Sequence, residues 1–143
     1  MKITQISVFL ENRKGRLCEV CTLLGQNNIN IRALTVAETE SFGVLRIVVD
    51  KPETAVAVLK SNNFVANVTD VVAVEVKDRP GGLAFILKVL AENDVNIEYM
   101  YAFVEKYSEN ALLVFRFEDT ELAQKILARN EIKIVSHEEI KGL

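Results

Sequence analysis

Glu11–Ile31, ENRKGRLCEVCTLLGQNNINI, and Lys77–Ile97, KDRPGGLAFILKVLAENDVNI, are one segment written twice. The offset is 66 residues, and no gap interrupts the match. Arg13 pairs with Arg79, Gly15 with Gly81, Leu17 with Leu83, Asn27 with Asn93, Asn30 with Asn96 and Ile31 with Ile97. A repeat of this length sets the domain size and the fold class. It also supplies an internal control, because a residue found in one copy can be weighed against its counterpart in the other.

Working outward, residues 5–10 alternate and place Ile6, Val8 and Leu10 on one face of a half-buried strand. Leu17, Val20, Cys21 and Leu24 then recur at helical spacing, which predicts a helix over 16–27, ended by Asn27-Asn28. Residues 29–38 read as a strand and 40–43 as a turn. In residues 44–50, Leu45, Ile47 and Val49 face the core. Pro52 suits the first turn of a second helix, with Ala55, Val56 and Leu59 as its stripe. Residues 64–68 close the copy as a short strand. The second copy repeats this order. Val72, Val74 and Val76 begin it, and Leu83, Ile86, Leu87 and Leu90 make the helix stripe. A hairpin over 97–104 and 112–118, a helix over 120–129 and a strand over 132–135 complete it. Each copy therefore reads β-α-β-β-α-β. The fold class is α+β: two ferredoxin-like units, 1–69 and 70–143, each an antiparallel sheet with its helices on one face. Thr69-Asp70 is almost the whole linker, which predicts a fixed relation between the units. Val44, Val48, Leu112 and Val114 fall on the helix-free face, so a further layer, from the other copy or a second chain, is expected there. A homodimer follows as an expectation.

The chain has 143 residues, a formal net charge of −3 and 50% hydrophobic residues, the composition of a soluble globular protein. No apolar run approaches the roughly 20 residues of a membrane span. The opening MKITQISVFLE alternates as a strand does and lacks a leader's apolar block, which favours the cytoplasm. Mild acidity without a basic run argues against nucleic acid.

The loop between the first strand and first helix is where ligand chemistry fits best. In the second copy it reads Asp78-Arg79-Pro80-Gly81-Gly82-Leu83. Paired glycines admit close backbone approach, and free N–H groups at a helix N-terminus suit a carboxylate or phosphate. The same glycines also serve a tight strand-to-helix turn, and Asp78 either accepts from an ammonium or caps that turn. Asn30-Ile31 and Asn96-Ile97 are the second candidate, since Asn offers a donor and an acceptor together. Their other role is to end a helix exit and begin a strand.

The glycine loop, a helix of about ten residues and Asn-Ile at the start of strand two together resemble the ACT domain, over the whole chain as two copies. The resemblance implies a regulatory module that binds a free amino acid or similar small metabolite and acts on a separate enzyme or regulator; the competing reading is a structural or assembly module without ligand. No cofactor and no catalysis are expected. The resemblance also implies a ligand held between two domains, the glycine loop of one facing the Asn-Ile strand of its neighbour. Carried onto this chain, Asp78, Arg79, Gly81, Gly82 and Leu83 would face Asn30 and Ile31. Asn12, Gly15, Arg16 and Leu17 would face Asn96 and Ile97. The first loop has Asn12 for Asp78, Lys14 for Pro80 and Arg16 for Gly82. The Asp78 pocket is therefore expected to be the better amino-acid site, and the Arg16 pocket to favour extra negative charge.

Cys18-Glu-Val-Cys21 has the spacing of a soft-metal site. Its counterparts are Ala84 and Leu87, so both cysteines are expected to pack as small hydrophobes. Tyr99, Tyr101 and Phe103 alternate as RNA-stacking aromatics do, but without basic residues they read as pocket or interface groups. His137, the single histidine, is expected on the surface. No nucleophile triad or phosphate loop is present, and the runs Glu38–Glu40 and Glu138–Glu139 read as solvated turns.

Overall fold

Four helices end in the same way. Asn27, Asn62, Asn93 and Asn130 each turn the side-chain amide back to the carbonyl four residues earlier, on Leu23, Val58, Val89 and Ile126, each at 2.8 Å. The next residue in each case, Asn28, Asn63, Asp94 or Glu131, is left-handed, with φ of 58°, 66°, 55° and 58°. The chain is thereby reversed into the following strand, and carbonyls that would lack an intrahelical donor are satisfied.

These helices belong to a computed structural model that describes residues 1–39, 41–105 and 107–143. The strands are β1 (Ile3–Glu11), β2 (Ile31–Glu38), β3 (Phe42–Val49), β4 (Val65–Val76), β5 (Ile97–Ala102), β6 (Ala111–Phe117) and β7 (Ile134–Val135). The helices are α1 (Arg16–Gln26), α2 (Pro52–Ser61), α3 (Gly82–Glu92), α4 (Thr120–Arg129) and α5 (His137–Lys141). The chain forms two compact units, Thr4–Thr69 and Asp70–Leu143 with Met1–Ile3.

In the first unit the strand order is β2-β3-β1-β4, with β3 antiparallel to both neighbours; Val8 faces Leu45 and Leu34 faces Ile47. In the second, β7 pairs β4, β4 pairs β6 and β6 pairs β5, again antiparallel, with Val74 opposite Leu113. Both are the split β-α-β arrangement. Ile6, Val8, Val20, Leu24, Leu45, Ile47, Ala55 and Leu59 form one core. Val72, Val74, Ile86, Leu90, Phe115, Phe117 and Leu127 form the other, with the Phe115 and Phe117 rings stacked at 5.4 Å.

The differences from the sequence expectation have local causes. Thr69-Asp70 is not a link between two strands, since it lies within the twelve-residue β4, where no Pro or Gly interrupts the extended backbone. Leu17 is 40% exposed rather than part of the buried stripe; the buried positions of α1 are Val20 and Leu24. β5 stops at Ala102, and the last strand is only Ile134–Val135. His137 is half-buried rather than exposed, at the first position of α5, a helix absent from the expectation. Phe42 and Gly43 belong to β3 rather than a turn; Glu40 lies outside the described residues. On the helix-free face Val48, Leu112 and Val114 are buried and Val44 is half-buried.

Candidate functional site

Gly15 and Gly81 occupy the N-cap positions of α1 and α3 with φ of +90° and +83°. An L side chain is strained there, so glycine is what lets the strand turn into the helix. Neither helix has a side-chain cap. By contrast Asp119 accepts from Leu122 N–H at the start of α4, and Ser136 from Glu139 N–H at the start of α5. In the second loop Gly82 N–H donates to the Arg79 carbonyl (2.9 Å) and Phe85 N–H to that of Gly81 (3.0 Å). The Leu83 and Ala84 N–H groups between them have no intrahelical acceptor, the positive end of α3. The first loop is built alike, with Arg16 N–H on the Arg13 carbonyl (3.3 Å) and Glu19 N–H on that of Gly15 (3.0 Å).

The two loops differ in what fills them. A Cβ at Gly82 would lie 2.0 Å from the Lys77 carbonyl oxygen. The missing side chain of Gly82 is therefore already used by the protein's own backbone, while Gly81 has open space around it. Asp78 and Arg79 are exposed, and Asp78 does not cap α3. In the first loop Arg16 is far from free. Its Nη1 lies 2.7 Å from Glu19 Oε2, its Nη2 lies 4.0 Å from Glu11, and its guanidinium stacks 4.3 Å above the Phe64 ring. Arg13 pairs with Glu11 and Glu19 as well. The Asn12 backbone N–H donates to the Ser41 carbonyl at 3.0 Å, and its side-chain amide reaches the Thr39 carbonyl at 3.4 Å. Carboxylates at Glu11 and Glu19 thus neutralise much of the extra charge in this loop.

Asn30 and Asn96 are both exposed at the entry to β2 and β5. Asn30 N–H donates to Asp50 Oδ1 at 2.9 Å, and the Asn96 amide donates to Glu118 Oε2 at 3.1 Å. Ile31 and Ile97 are half-buried against their cores. A register shift follows each of them, between Ile31 and Ala33 and between Ile97 and Tyr99. Bulges re-aim side chains at strand ends; nothing in the residue types announced these two. Leu83 is half-buried in its core, whereas Leu17 is not. Within one unit the glycine loop and the Asn-Ile pair lie at opposite ends of an eleven-residue helix, about 16 Å of axial rise. No small ligand spans that distance, so the structure brings together the residues of each loop but not a loop with its own unit's Asn-Ile.

Cys18 is exposed rather than packed in the core, with Sγ 3.7 Å from Thr22 Oγ1. Cys21 is half-buried, and burial, then the neighbouring Cys18, pushes its thiol up from the ordinary value. That opposes the thiolate a soft metal needs. No cluster of three metal-ligating side chains occurs among the described residues. Tyr101 and Phe103 are buried, so they offer no open stacking surface. No helix among the described residues is long and apolar enough to cross a membrane.

The sequence model of a family described as an ACT domain pair matches residues 1–143. The structure of protein BT0572 from Bacteroides thetaiotaomicron is 37% identical, with a TM-score of 0.93, covering 100% of this chain and 98% of that one. The regulatory subunit of aspartate kinase from Thermus thermophilus, in its ligand-free form, is 18% identical with a TM-score of 0.62, covering 88% of this chain and 91% of that one. Its Thermus flavus equivalent is 17% identical with a TM-score of 0.59, covering 88% and 90%. These two likenesses speak to the fold. No curated protein sequence matches.

Proposed function

The chain belongs to the ACT domain-pair family, and from that premise we propose that it is an amino-acid-binding regulator without catalytic activity of its own. The whole-chain family match carries the reading, since ACT pairs are regulatory rather than catalytic units. Two uncapped helix N-termini behind left-handed glycines, at Gly15 and Gly81, support it chemically. Each presents free N–H groups suited to a carboxylate. The ligand lies between two ACT units, the glycine loop of one facing Asn30-Ile31 or Asn96-Ile97 of another. The separation of loop and Asn-Ile within one unit supports this division of labour. The second loop is the stronger site: Asp78 is exposed beside it to receive an ammonium group, whereas Arg16 is held by Glu19 and Phe64. Binding acts on a separate enzyme or regulator by favouring one arrangement of units, and only to the extent of the ligand's differential affinity for it. We place the protein in the cytoplasm as a homodimer; exposed Phe9, Leu34, Val36 and Phe42 on the first unit support self-association.

Calorimetric titration with amino acids tests the site. Asp78→Asn should weaken binding about tenfold or more, the loss of one charge-assisted hydrogen bond, while Asn12→Asp leaves the stronger site unchanged. Equal affinity in Asp78→Asn and wild type refutes the assignment of the stronger site.

A further inference from the structure

The second unit holds a cavity of about 360 Å3 beside the start of α3, lined by β4, the β5–β6 turn and the α4–β7 segment. Its size falls in the range of small-molecule pockets, roughly 300–1,000 Å3. The repeat shows how it arises. Phe64 and Ile132 are counterparts: each follows the second helix of its unit, α2 or α4, and donates N–H to the carbonyl five residues earlier, on Leu59 or Leu127. In the first unit Arg16 lies across Phe64 and is held by Glu19. In the second, Gly82 replaces Arg16, Ile132 replaces Phe64 and Phe85 replaces Glu19, so the ring-stacked arginine and its carboxylate partner are both gone and the space beside Gly82 is left to the cavity. The depression beside Arg16 and Phe64 in the first unit is no smaller, about 430 Å3, but it is more open and runs along α1 past Cys18, Thr22 and Gln26 instead of reaching the strand and the loop before α1.

The lining of the cavity has two poles. Lys77 and Arg79 form no ion pair with any described residue, and both line it. Phe85, 59% exposed, stands with Ile86 and Ile132 as an apolar wall. Glu75, held by Ser108 and Asn110 through one oxygen, and Glu131 complete the rim. Lys133 is already engaged by Tyr107 and Glu139.

We propose that this cavity is a ligand site contained within the second unit, taking a small monocarboxylate with an apolar body. Its carboxylate lies toward Arg79 and Lys77, and its hydrocarbon part against Phe85, Ile86 and Ile132. The proposal rests on the reading of the chain as a small-molecule binder, but it places a ligand where no second unit is needed. Two sources share this chemistry, an α-amino acid and a 2-oxo acid; only the first adds an ammonium for Glu75 or Glu131.

The test is isoleucine-methyl NMR on the full chain, titrated with L-leucine and with 4-methyl-2-oxopentanoate. Ile86 and Ile132 report on the cavity, and Ile31 and Ile97 on the Asn-Ile strands. The proposal expects Ile86 and Ile132 to shift saturably with at least one probe, and Phe85→Glu to weaken that response about tenfold. Response to leucine alone assigns a role to the rim carboxylates; response to both assigns the carboxylate and isobutyl group. Shifts confined to Ile31 and Ile97 overturn the cavity site while leaving the proposed function standing. Unchanged affinity in Phe85→Glu also overturns the cavity site. No shift at any of the four methyls with either probe overturns the cavity site, and the amino-acid reading falls separately if no amino acid stabilises the protein.

Discussion

Replacing Gly82 with alanine should destabilise the second unit, and the structure sets the scale. The new Cβ would sit 2.0 Å from the Lys77 carbonyl oxygen and 3.1 Å from its carbon. Both are backbone atoms of the strand end, so neither can swing aside as a side-chain tip would. Forced overpacking of this kind costs about 1–3 kcal/mol. Alanine's helix propensity returns up to about 1 kcal/mol in a helix interior and less at a first turn. The net expectation is a loss of about 1–2 kcal/mol; each kcal/mol lowers Tm by roughly 4–8 °C in a unit of this size. Gly25→Ala is the control. Gly25 lies within α1 with nothing within 4 Å of its would-be Cβ, so alanine should stabilise by roughly 0.5–1 kcal/mol. Thermal and denaturant unfolding of both variants measure the pair. If Gly82→Ala is as stable as wild type, the close approach of α3 to Lys77 is not what fixes glycine there, and Gly82 is free to act on ligand alone.

Gly15→Ala and Gly81→Ala should each lose about 1–2 kcal/mol, because the strain is in φ rather than in space; denaturant midpoints should fall for both alike. Asn62→Ala removes the amide that reaches the Val58 carbonyl, and should lower stability by about 0.5–1.5 kcal/mol on the same assay. The Tyr107 hydroxyl, then Lys133, hold the Glu139 carboxyl below its usual 4.5. A depressed carboxylate stabilises the fold fully above its unfolded value, and that contribution is lost as pH falls through the folded value. Tyr107→Phe should therefore move the Glu139 carboxyl resonance titration upward; an unmoved titration would show that the hydroxyl does not bear on it.

Much of this was readable in the sequence because the repeat supplied its own alignment. The 66-residue offset fixed which glycine, leucine and asparagine correspond; helical spacing gives α1 to within one residue and the stripe of α3, and the range 120–129 is that of α4. What stayed hidden depends on distances between segments far apart in the chain. A glycine that admits a ligand and one that admits a carbonyl are the same letter, so the role of Gly82 became visible only with Lys77 beside it. Arg16 counts in the sequence as an added positive charge of the loop, whereas its stacking partner Phe64 lies 48 residues away and is visible only in the fold. The helix α5 is too short for a periodic signal; Ser136-His-Glu-Glu139 has the capping-box pattern, and Ser136 Oγ accepts from the Glu139 N–H, so the run read as a solvated turn is its first turn. Cys18 was assigned to the core from its counterpart Ala84, but Ala84 is exposed as well, and a small residue in both copies says little about burial. The asymmetry between Asp78 and Asn12 was legible as chemistry, whereas the neutralising role of Glu11 and Glu19 needed the fold.

The proposed amino-acid binding by this ACT pair is open to one decisive measurement. That measurement is a thermal-shift screen of the full chain against the twenty amino acids. A ligand present at 100 times its Kd stabilises the native state by about 2.7 kcal/mol, or roughly 5–10 °C for a chain of this length. Such a rise is expected with one or a few amino acids, diminished in Asp78→Asn. A flat response across all twenty, with the protein folded throughout, would contradict it.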